Sequence, residues 1–224
     1  MFDYGFIIPL KNEAQPLLKL LINKKTIQNG THTIYVGTLQ DKKVSLIISG
    51  CGKIKSAAST QYLIDTYAAK MYFHYGSAGA ISAKLRIGDT IIAEQVIEHD
   101  SKELFPQITP PPIHKISTEQ LKVRLKKYKS TSLVWGSILS GDEDIVSTKR
   151  KKELYKLHKG LSVDWESAGF ALTCQLNKVE GYIFRGISDY AYEHTAIEYG
   201  KNQELVMNNI IRLLIYLLKE KNAS

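Results

Sequence analysis

Carboxylates stand at the ends of several predicted strands in this chain. The stretch Gly181–Tyr190 opens with the apolar run Tyr182–Phe184 and closes on small residues and Asp189, which is typical of a buried parallel strand whose C-terminal end carries a site. Ligands of open α/β sheets bind in the crevice beyond such strand ends. The stretch alone leaves a second interpretation open, in which Asp189 caps a turn or a helix.

Three more carboxylates occupy similar positions. Glu13 follows a predicted first strand, Tyr4–Leu10, near the start of a helix, where an acidic residue either complements the helix dipole or faces a site. Asp164 and Glu166 lie where a strand enters a small-residue helix within Leu161–Cys174. Alternate residues of a strand point to one side, so both can face one pocket, although a cap plus a solvent-facing charge is the alternative. Carboxylates that converge in a cleft indicate a functional site.

Two small-residue segments could bring a ligand close to backbone amides. Gly76–Ala80 continues the aromatic-rich strand Met71–Ala78, and its small residues permit a close approach. Ser49–Lys53 precedes a helix and could cradle a phosphate. Its spacing matches neither the dinucleotide-binding fingerprint nor the Walker loop, so a tight strand-to-helix turn is favoured.

His99, Asp100 and Glu103 have the chemistry of metal ligands. No second ligand cluster accompanies them, and chelation needs several well-placed ligands. Hydrogen-bonding loop residues are therefore favoured, and we expect neither a metal nor an organic cofactor.

Strands and helices alternate along the chain and predict an α/β fold. The segment Leu104–Ile113 holds four of the six prolines and is predicted as a rigid loop that could serve as a lid. No linker marks a boundary, so residues 1–224 are expected to form a single domain. The other predicted strands are 33–39, 43–49, 90–97 and 132–139, the predicted helices are 13–21, 54–69, 119–128, 148–158 and 202–218, and the last helix is predicted to turn Leu205, Ile210, Leu213, Leu214 and Leu217 inward.

Composition argues against several other classes. The net charge is +8, yet the lysines are spread along the chain without a nucleic-acid-binding motif, so solvated helix faces are favoured over nucleic-acid binding. Cys51 and Cys174 form no disulfide framework, which fits a reducing cytoplasm. The N-terminus is predicted as a strand rather than a signal peptide. The apolar run Ile210–Leu218 is too short for a bilayer, so a soluble cytoplasmic protein is expected.

The strand-end segments form an ordered set that runs through nearly the whole chain. Its members are the first strand with Glu13, Ser49–Lys53, Gly76–Gly79, Gly88–Asp89, His99–Asp100, Ser140–Asp142, Val163–Glu166 and Arg185–Asp189. This set resembles the purine nucleoside phosphorylase and nucleosidase superfamily, and within it most closely the 5′-methylthioadenosine/S-adenosylhomocysteine nucleosidases. The resemblance implies a mixed, partly barrel-like central β-sheet flanked by α-helices, and cleavage of the N-glycosidic bond of a purine nucleoside.

The resemblance also implies a role for each matching residue. Glu13 corresponds to the residue that activates the attacking water. Asp189 corresponds to the acid that protonates or hydrogen-bonds the purine at N7, with Ser188 as its positioning neighbour. The positions that correspond to other substrate contacts are Glu166 for the ribose hydroxyls, Trp165 for the sugar face, Ser77, Ala78 and Gly79 for the loop near ribose and base, and Ile145 for the base edge.

Two further candidate contacts depart from the nucleosidase pattern. Asp144 stands where an aromatic residue usually stacks on adenine, and a carboxylate instead accepts hydrogen bonds, for example from a guanine-type edge. Asp164 stands where a glutamate is usual. The base and the 5′ substituent of the nucleoside therefore stay open.

The nucleophile separates a hydrolase from a phosphorylase. Phosphorolytic relatives place an arginine two residues before the glycine of the Gly76–Ser77 loop, where this chain has His74. An oxyanion needs fixed cationic donors, so water is favoured as the nucleophile. Phosphorolysis is the alternative, in which a protonated His74 partly replaces the missing arginine.

The resemblance implies a homodimer or larger oligomer whose neighbouring subunit closes the pocket. Two hypotheses from other functional classes stay open: a non-catalytic nucleoside-binding protein and a basic nucleic-acid-binding protein.

Overall fold

The computed structural model describes residues 1–102, 109–130 and 132–219. Within these ranges the chain forms ten strands of one sheet and six helices that flank it. The strands are β1 Phe2–Ile8, β2 Ile22–Asn29, β3 His32–Leu39, β4 Lys42–Ile48, β5 Ala69–Ala80, β6 Thr90–Glu98, β7 Ile113–Lys115, β8 Leu133–Ser140, β9 Ser162–Asp164 and β10 Gly181–Asp189. The helices are α1 Lys11–Leu18, α2 Lys53–Thr66, α3 Glu119–Leu125, α4 Thr148–His158, α5 Ser167–Asn177 and α6 Thr195–Lys219.

Five of the strands close into a barrel. β5 pairs with β10, β10 with β6, β6 with β8, β8 with β9, and β9 with β5 again. Three of these pairs are parallel and two, β10 with β6 and β9 with β5, are antiparallel, so the sheet is mixed. β1 extends the sheet from β5, and β4, β3 and β2 follow it. The predicted α/β fold with a mixed, partly barrel-like sheet is confirmed.

The longest helix, α6, lies on one face of the sheet and encloses an apolar cluster with the rings of Phe6, Phe73 and Phe184. Four of the side chains predicted to face inward are buried there, namely Ile210, Leu213, Leu214 and Leu217. The prediction for Leu205 is wrong, because that side chain is 50% exposed. The buried stripe of α6 begins at the neighbouring Val206, and the helical period then turns Leu205 towards solvent.

Strand β2 was not predicted. A helix was expected up to Leu21, but α1 ends at Leu18, and β2 pairs antiparallel with β3. β2 is an outer strand with almost every residue exposed, so it lacks the apolar alternation that reveals a strand in sequence. The last helix also begins at Thr195 rather than at residue 202.

Glu103 and residues 104–108 of the proline-rich loop lie outside the described residues. The end of that loop, Ile113, begins the short strand β7, which pairs with β6. No described helix combines the length and hydropathy that a membrane crossing needs.

Candidate active site

A cavity of about 350 Å³ lies where the C-terminal ends of the parallel strands meet. All of the site residues predicted from the sequence line it: Glu13, Ser77, Ala78, Gly79, Asp144, Ile145, Asp164, Trp165, Glu166, Ser188 and Asp189. They come from five separate parts of the chain. The pairing of β5 with β1, β9 and β10 brings most of these parts to one edge of the barrel.

Glu13 is buried at one wall of the cavity, on the first turn of α1. Its Oε1 accepts hydrogen bonds from the backbone N–H of Ser77 at 2.9 Å and from the Ser77 hydroxyl at 2.5 Å. Burial raises the pKa of Glu13, although Ser77 and the positive charge of Arg185 act in the opposite direction. Its Oε2 is buried and has no hydrogen-bond partner among the described residues.

Arg185 on β10 is the central charge of the site, and it was not predicted from the sequence as a site residue. The side chain is fully buried. Its Nε lies 2.7 Å from Asp164 Oδ2, and its Nη2 lies 3.1 Å from Glu166 Oε2. A buried guanidinium requires such partners, because an unpaired charge in the interior is strongly unfavourable. An arginine in the middle of an apolar strand was the sequence signal for this group.

His74 on β5 is neutral in this arrangement. Its Nδ1 lies 2.8 Å from the carbonyl oxygen of Ile7, and its Nε2 lies 2.6 Å from Arg185 Nη2. Since a carbonyl only accepts and a guanidinium only donates, Nδ1 carries the proton and Nε2 accepts. Burial and the charge of Arg185 lower the pKa of His74 well below its usual range. A protonated His74 that binds phosphate is incompatible with these contacts.

Arg185 Nη1 and Glu13 Oε2 both lie close to Gly76. A methyl group on Gly76 would stand 2.5 Å from Nη1 and 3.1 Å from Oε2, so only glycine leaves this space open. The two charged groups form no direct ion pair, and Nη1 makes no hydrogen bond to a described residue. The Arg185 donor and the Glu13 acceptor therefore lie near each other at the edge of the cavity that both residues line.

Glu166 stands at the N-terminal end of α5. Its Oε1 accepts from the backbone N–H of Gly52 at 3.2 Å, and its Oε2 contacts Arg185. Burial raises the pKa of Glu166 to about 7. Asp164 is fully engaged by comparison, because its oxygens accept from Arg185, the Ser167 hydroxyl and the N–H groups of Glu166 and Ser167.

Asp189 ends β10 beside Gly79 of β5. Its Oδ2 accepts from the Ser188 hydroxyl at 2.7 Å, and its Oδ1 accepts from the N–H of Ala191 at 3.0 Å and the hydroxyl of Thr195 at 3.2 Å. Burial raises the pKa of Asp189 although these donors lower it. Since Glu13 lies at Ser77 and Asp189 at Gly79, the two carboxylates occupy the same wall about 7 Å apart along the strand.

The Asp189 end of the cavity has an apolar wall and an exposed rim. Ile145, Val163 and Ala191 belong to one buried apolar cluster. Asp144, next to Ile145, is exposed and has no hydrogen-bond or ion-pair partner among the described residues. Trp165 is half-buried and donates its indole N–H to the carbonyl oxygen of Glu143 at 3.1 Å.

Several other lining residues were also missed. Pro9, Leu10, Cys51 and Tyr199 line the cavity together with Glu13. Burial and the nearby Glu13 raise the pKa of Tyr199. No sequence pattern marks Pro9, Leu10 or Tyr199 as part of a site, and only the fold brings these residues to the cavity.

The acidic and histidine residues after β6 have other partners. Asp100 lies 2.7 Å from the ammonium of Lys53, and His99 is buried with its Nδ1 3.7 Å from Glu143. Glu103, the third member of the predicted cluster, lies outside the described residues. Within the described ranges, no three His, Cys, Asp or Glu side chains are grouped as metal ligands.

A barrel edge whose cavity is lined by several buried carboxylates is the arrangement of an acid–base enzyme. The sequence identifies the family: residues 3–219 match the model of the phosphorylase superfamily, and the chain belongs to that family.

Curated relatives include two 5′-methylthioadenosine/S-adenosylhomocysteine nucleosidases. The one from Staphylococcus epidermidis is 30% identical over 83% of this chain and 86% of its own length. The one from Baumannia cicadellinicola is 29% identical over 94% of this chain and 99% of its own length. The predicted resemblance to this group is confirmed.

Solved structures share the fold. A nucleosidase of Neisseria meningitidis in complex with methylthio-immucillin-A superposes with a TM-score of 0.87 at 24% identity, over 98% of this chain and 99% of the other. Futalosine hydrolase of Helicobacter pylori superposes with a TM-score of 0.89 at 24% identity, over 98% of each chain.

Proposed function

We propose that this protein hydrolyses the N-glycosidic bond of a purine nucleoside and releases the free base. The observation that carries the proposal is that the buried Glu13 Oε2 has no hydrogen-bond partner among the described residues and lies near Arg185 Nη1, with the buried acid Asp189 further along the same wall. The nucleosidase names of the curated relatives support it.

Glu13 activates the attacking water in this proposal. A water molecule in the cavity donates a hydrogen bond to Glu13 Oε2, which has no other partner among the described residues, and Glu13 takes the proton as the water oxygen attacks the sugar. Ser77 holds the other carboxylate oxygen, so Glu13 has one defined orientation. General-base assistance of this kind is typically worth about 10²–10⁴-fold in rate.

The two ends of the site stabilise opposite charges as the bond breaks. The sugar gains positive charge, which the carboxylate of Glu166 stabilises, and this residue also binds the ribose hydroxyls. The leaving purine gains negative charge, which a protonated Asp189 neutralises at N7. The raised pKa of buried Asp189 favours the protonated form that this role requires. Ser188 orients that carboxyl group.

The other predicted contacts complete the substrate site. We propose that Trp165 packs on the sugar, that Ser77, Ala78 and Gly79 form the floor under ribose and base, and that the Ile145 backbone meets the base edge. Asp164 has a supporting role in the proposal, because both of its oxygens are engaged by Arg185, Ser167 and backbone N–H groups.

Water is favoured over phosphate by the charges of the site. The one described guanidinium that lines the cavity, Arg185, is already paired with Asp164 and Glu166. His74 is neutral and accepts a hydrogen bond from Arg185. A phosphate ion would therefore meet Glu13 and Glu166 without a free cation to offset its charge.

We propose that Asp144 determines which purine base the site prefers. A carboxylate presents two adjacent acceptors, which match the N1–H and N2–H donors of guanine, whereas adenine presents an acceptor beside its amino group. We therefore propose a preference for bases with this donor edge. A methylthioadenosine-type substrate, which would connect the enzyme to methionine salvage, is the alternative that the names of the relatives suggest.

Assembly and location belong to the same proposal. We propose a homodimer in the cytoplasm, in which no nucleic acid or membrane is a partner. The two cysteines, Cys51 and Cys174, are both free thiols, and this supports a reducing compartment. Light scattering of the purified protein would measure the assembly.

One experiment tests the reaction directly. The protein is incubated with a panel of purine nucleosides in H₂¹⁸O, with and without phosphate, and the products are identified by mass spectrometry. Hydrolysis predicts free base plus a sugar labelled at C1, at a rate that phosphate does not change. A sugar 1-phosphate would establish phosphorolysis, and nucleoside binding without any product would establish a non-catalytic binding protein.

A further inference from the structure

The glycine-rich turn before α2 binds carboxylates of the protein itself. The backbone N–H of Gly52 donates to Glu166 Oε1 at 3.2 Å, and the next N–H, that of Lys53, donates to Asp142 Oδ1 at 3.0 Å. Both N–H groups belong to the N-terminus of α2 and have no acceptor within the helix, and such a terminus favours negative charge. We call the part of the cavity lined by Glu13, Asp164, Glu166 and Arg185 the sugar end and the part lined by Asp144, Ile145 and Asp189 the base end. The turn therefore joins Glu166 of the sugar end to the loop that leads to the base end.

Glycine at position 52 permits this double contact. Gly52 has a φ of +106°, a conformation that residues with a side chain rarely adopt. A Cβ at this position would also stand 3.2 Å from Asp142 Oδ1. The carboxylate of Asp142 thus lies directly over the turn.

Asp142 is held from its other side as well. Its backbone N–H donates to Asp100 Oδ2 at 2.9 Å. The ammonium of Lys53 lies 2.7 Å from Asp100 Oδ1 and 3.1 Å from Glu98 Oε2. Lys53, Asp100 and Asp142 therefore form a closed ring of hydrogen bonds between the end of β6, the loop after β8 and the start of α2.

The loop that begins at Asp142 carries the base-end residues. Glu143 accepts from the Trp165 indole through its carbonyl oxygen and is paired with Arg150 at 2.8 Å through its carboxylate. Asp144 and Ile145 follow and line the cavity. A movement of Asp142 would therefore displace both this loop and the turn that holds Glu166.

We propose that Asp142 is a positioning residue of the active site, which clamps the Gly52–Lys53 turn so that Glu166 and the Asp144–Ile145 loop keep a fixed relation to each other. Nothing in the proposed chemistry requires Asp142 to touch the substrate. The kinetic test of this inference rests on the proposed nucleoside hydrolysis. The NMR test, which follows the titration of Glu166, does not.

Glu166 provides the spectroscopic readout, because the Gly52 N–H stabilises its charged form. Burial raises the pKa of Glu166 to about 7, and the Gly52 hydrogen bond acts against this increase. The charged or titratable groups that face Glu166 are Arg185 on β10, Asp164 on β9, Glu13 on α1 and Cys51 in the turn. Loss of the clamp weakens the Gly52 contact, so Glu166 should titrate at higher pH.

A matched pair of variants isolates the hydrogen bond from the charge. Asp142→Asn and Asp142→Ala both remove the negative charge, but only asparagine keeps an oxygen that accepts from the Lys53 N–H. We expect kcat/KM to fall about 10- to 100-fold in the alanine variant, as for a misplaced active-site group, and to stay near the wild-type value in the asparagine variant. The Glu166 carboxyl, followed by ¹³C NMR with Glu166→Gln for assignment, should titrate at higher pH in D142A than in D142N.

Equal behaviour of the two variants overturns the proposal. Equal kinetics and equal Glu166 titration in D142A and D142N would show that no clamp exists, whether both resemble wild type or both are impaired. If the wild-type protein cleaves no nucleoside, the proposed function fails while the NMR comparison still decides the role of Asp142.

A second pair applies if D142A does not fold. Lys53→Ala removes the side chain alone, and Lys53→Pro also removes the backbone N–H at the first position of α2, where proline is tolerated. The clamp predicts a higher Glu166 titration midpoint and lower kcat/KM in K53P than in K53A. Identical behaviour of the two variants would contradict it.

Discussion

The two ends of the cavity differ in how their charges are held. At the sugar end, Glu13, Asp164, Glu166 and Arg185 are all buried, and Arg185 is paired with Asp164 and Glu166. At the base end, Asp144 is exposed and carries no partner among the described residues. The first arrangement is determined by interior packing and the second by a surface loop.

This difference separates reaction from specificity. A buried charge network tolerates little change, because removal of one member leaves another uncompensated in the interior. An exposed carboxylate is solvated and can be replaced with a small effect on stability. We therefore expect substitutions at the sugar end to affect folding and rate, and substitutions at Asp144 to affect the choice of base.

Arg185→Met should have the largest effect. The substitution leaves the carboxylates of Asp164 and Glu166 without their cation and should lower the free energy of unfolding by about 3–5 kcal/mol. Urea titration measures it, with Arg212→Met on the exposed face of α6 as the control. If R185M were as stable as the wild type, the charges of the sugar end would not depend on one another for stability.

Asp189→Asn should abolish the proton donor while keeping the shape of the side chain. We expect kcat/KM for purine nucleosides to fall about 10²–10⁴-fold, the usual value of general-acid assistance. A riboside with a 4-nitrophenolate leaving group needs no proton, so its cleavage should fall much less. An equal loss for both substrates would mean that Asp189 positions the base rather than protonating it.

Glu166 should make stability depend on pH. Its pKa is raised by burial from the ordinary value of 4.5 to about 7 in the folded protein. The stability that protonated Glu166 contributes is therefore complete below pH 4.5 and is lost as the pH rises through 7. Urea titrations of the wild type and Glu166→Gln from pH 4 to 8 should diverge, with the variant relatively more stable at high pH. Parallel curves would refute this assignment.

Asp144→Asn should have the smallest effect. Asparagine offers one donor and one acceptor in place of two acceptors, so the ratio of kcat/KM for guanosine over adenosine should fall about tenfold, the value of one charge-assisted hydrogen bond partly screened by solvent. The melting temperature should not change. Lys149→Ala, at an exposed position just after the same loop and outside the cavity, is the control. An unchanged ratio would remove Asp144 from base recognition.

Much of the site could be predicted from the sequence, because strand ends and carboxylates are local features. Asp189 after an apolar run, Glu13 after the first strand and Glu166 at a strand–helix joint are visible without the fold, and parallel strands bring such ends together. Strand β2 could not be predicted in the same way, since an exposed edge strand has no apolar pattern.

Only the tertiary structure decided how the charges are paired. His74 could be a phosphate-binding cation in the sequence, but Ile7 and Arg185 make it a neutral acceptor. The glycine turn before α2 could cradle a phosphate, but Glu166 and Asp142 occupy its amides. The sequence determines which groups can ionise or donate, whereas their charge state and partners depend on burial and on contacts between distant segments, which exist only in the folded chain.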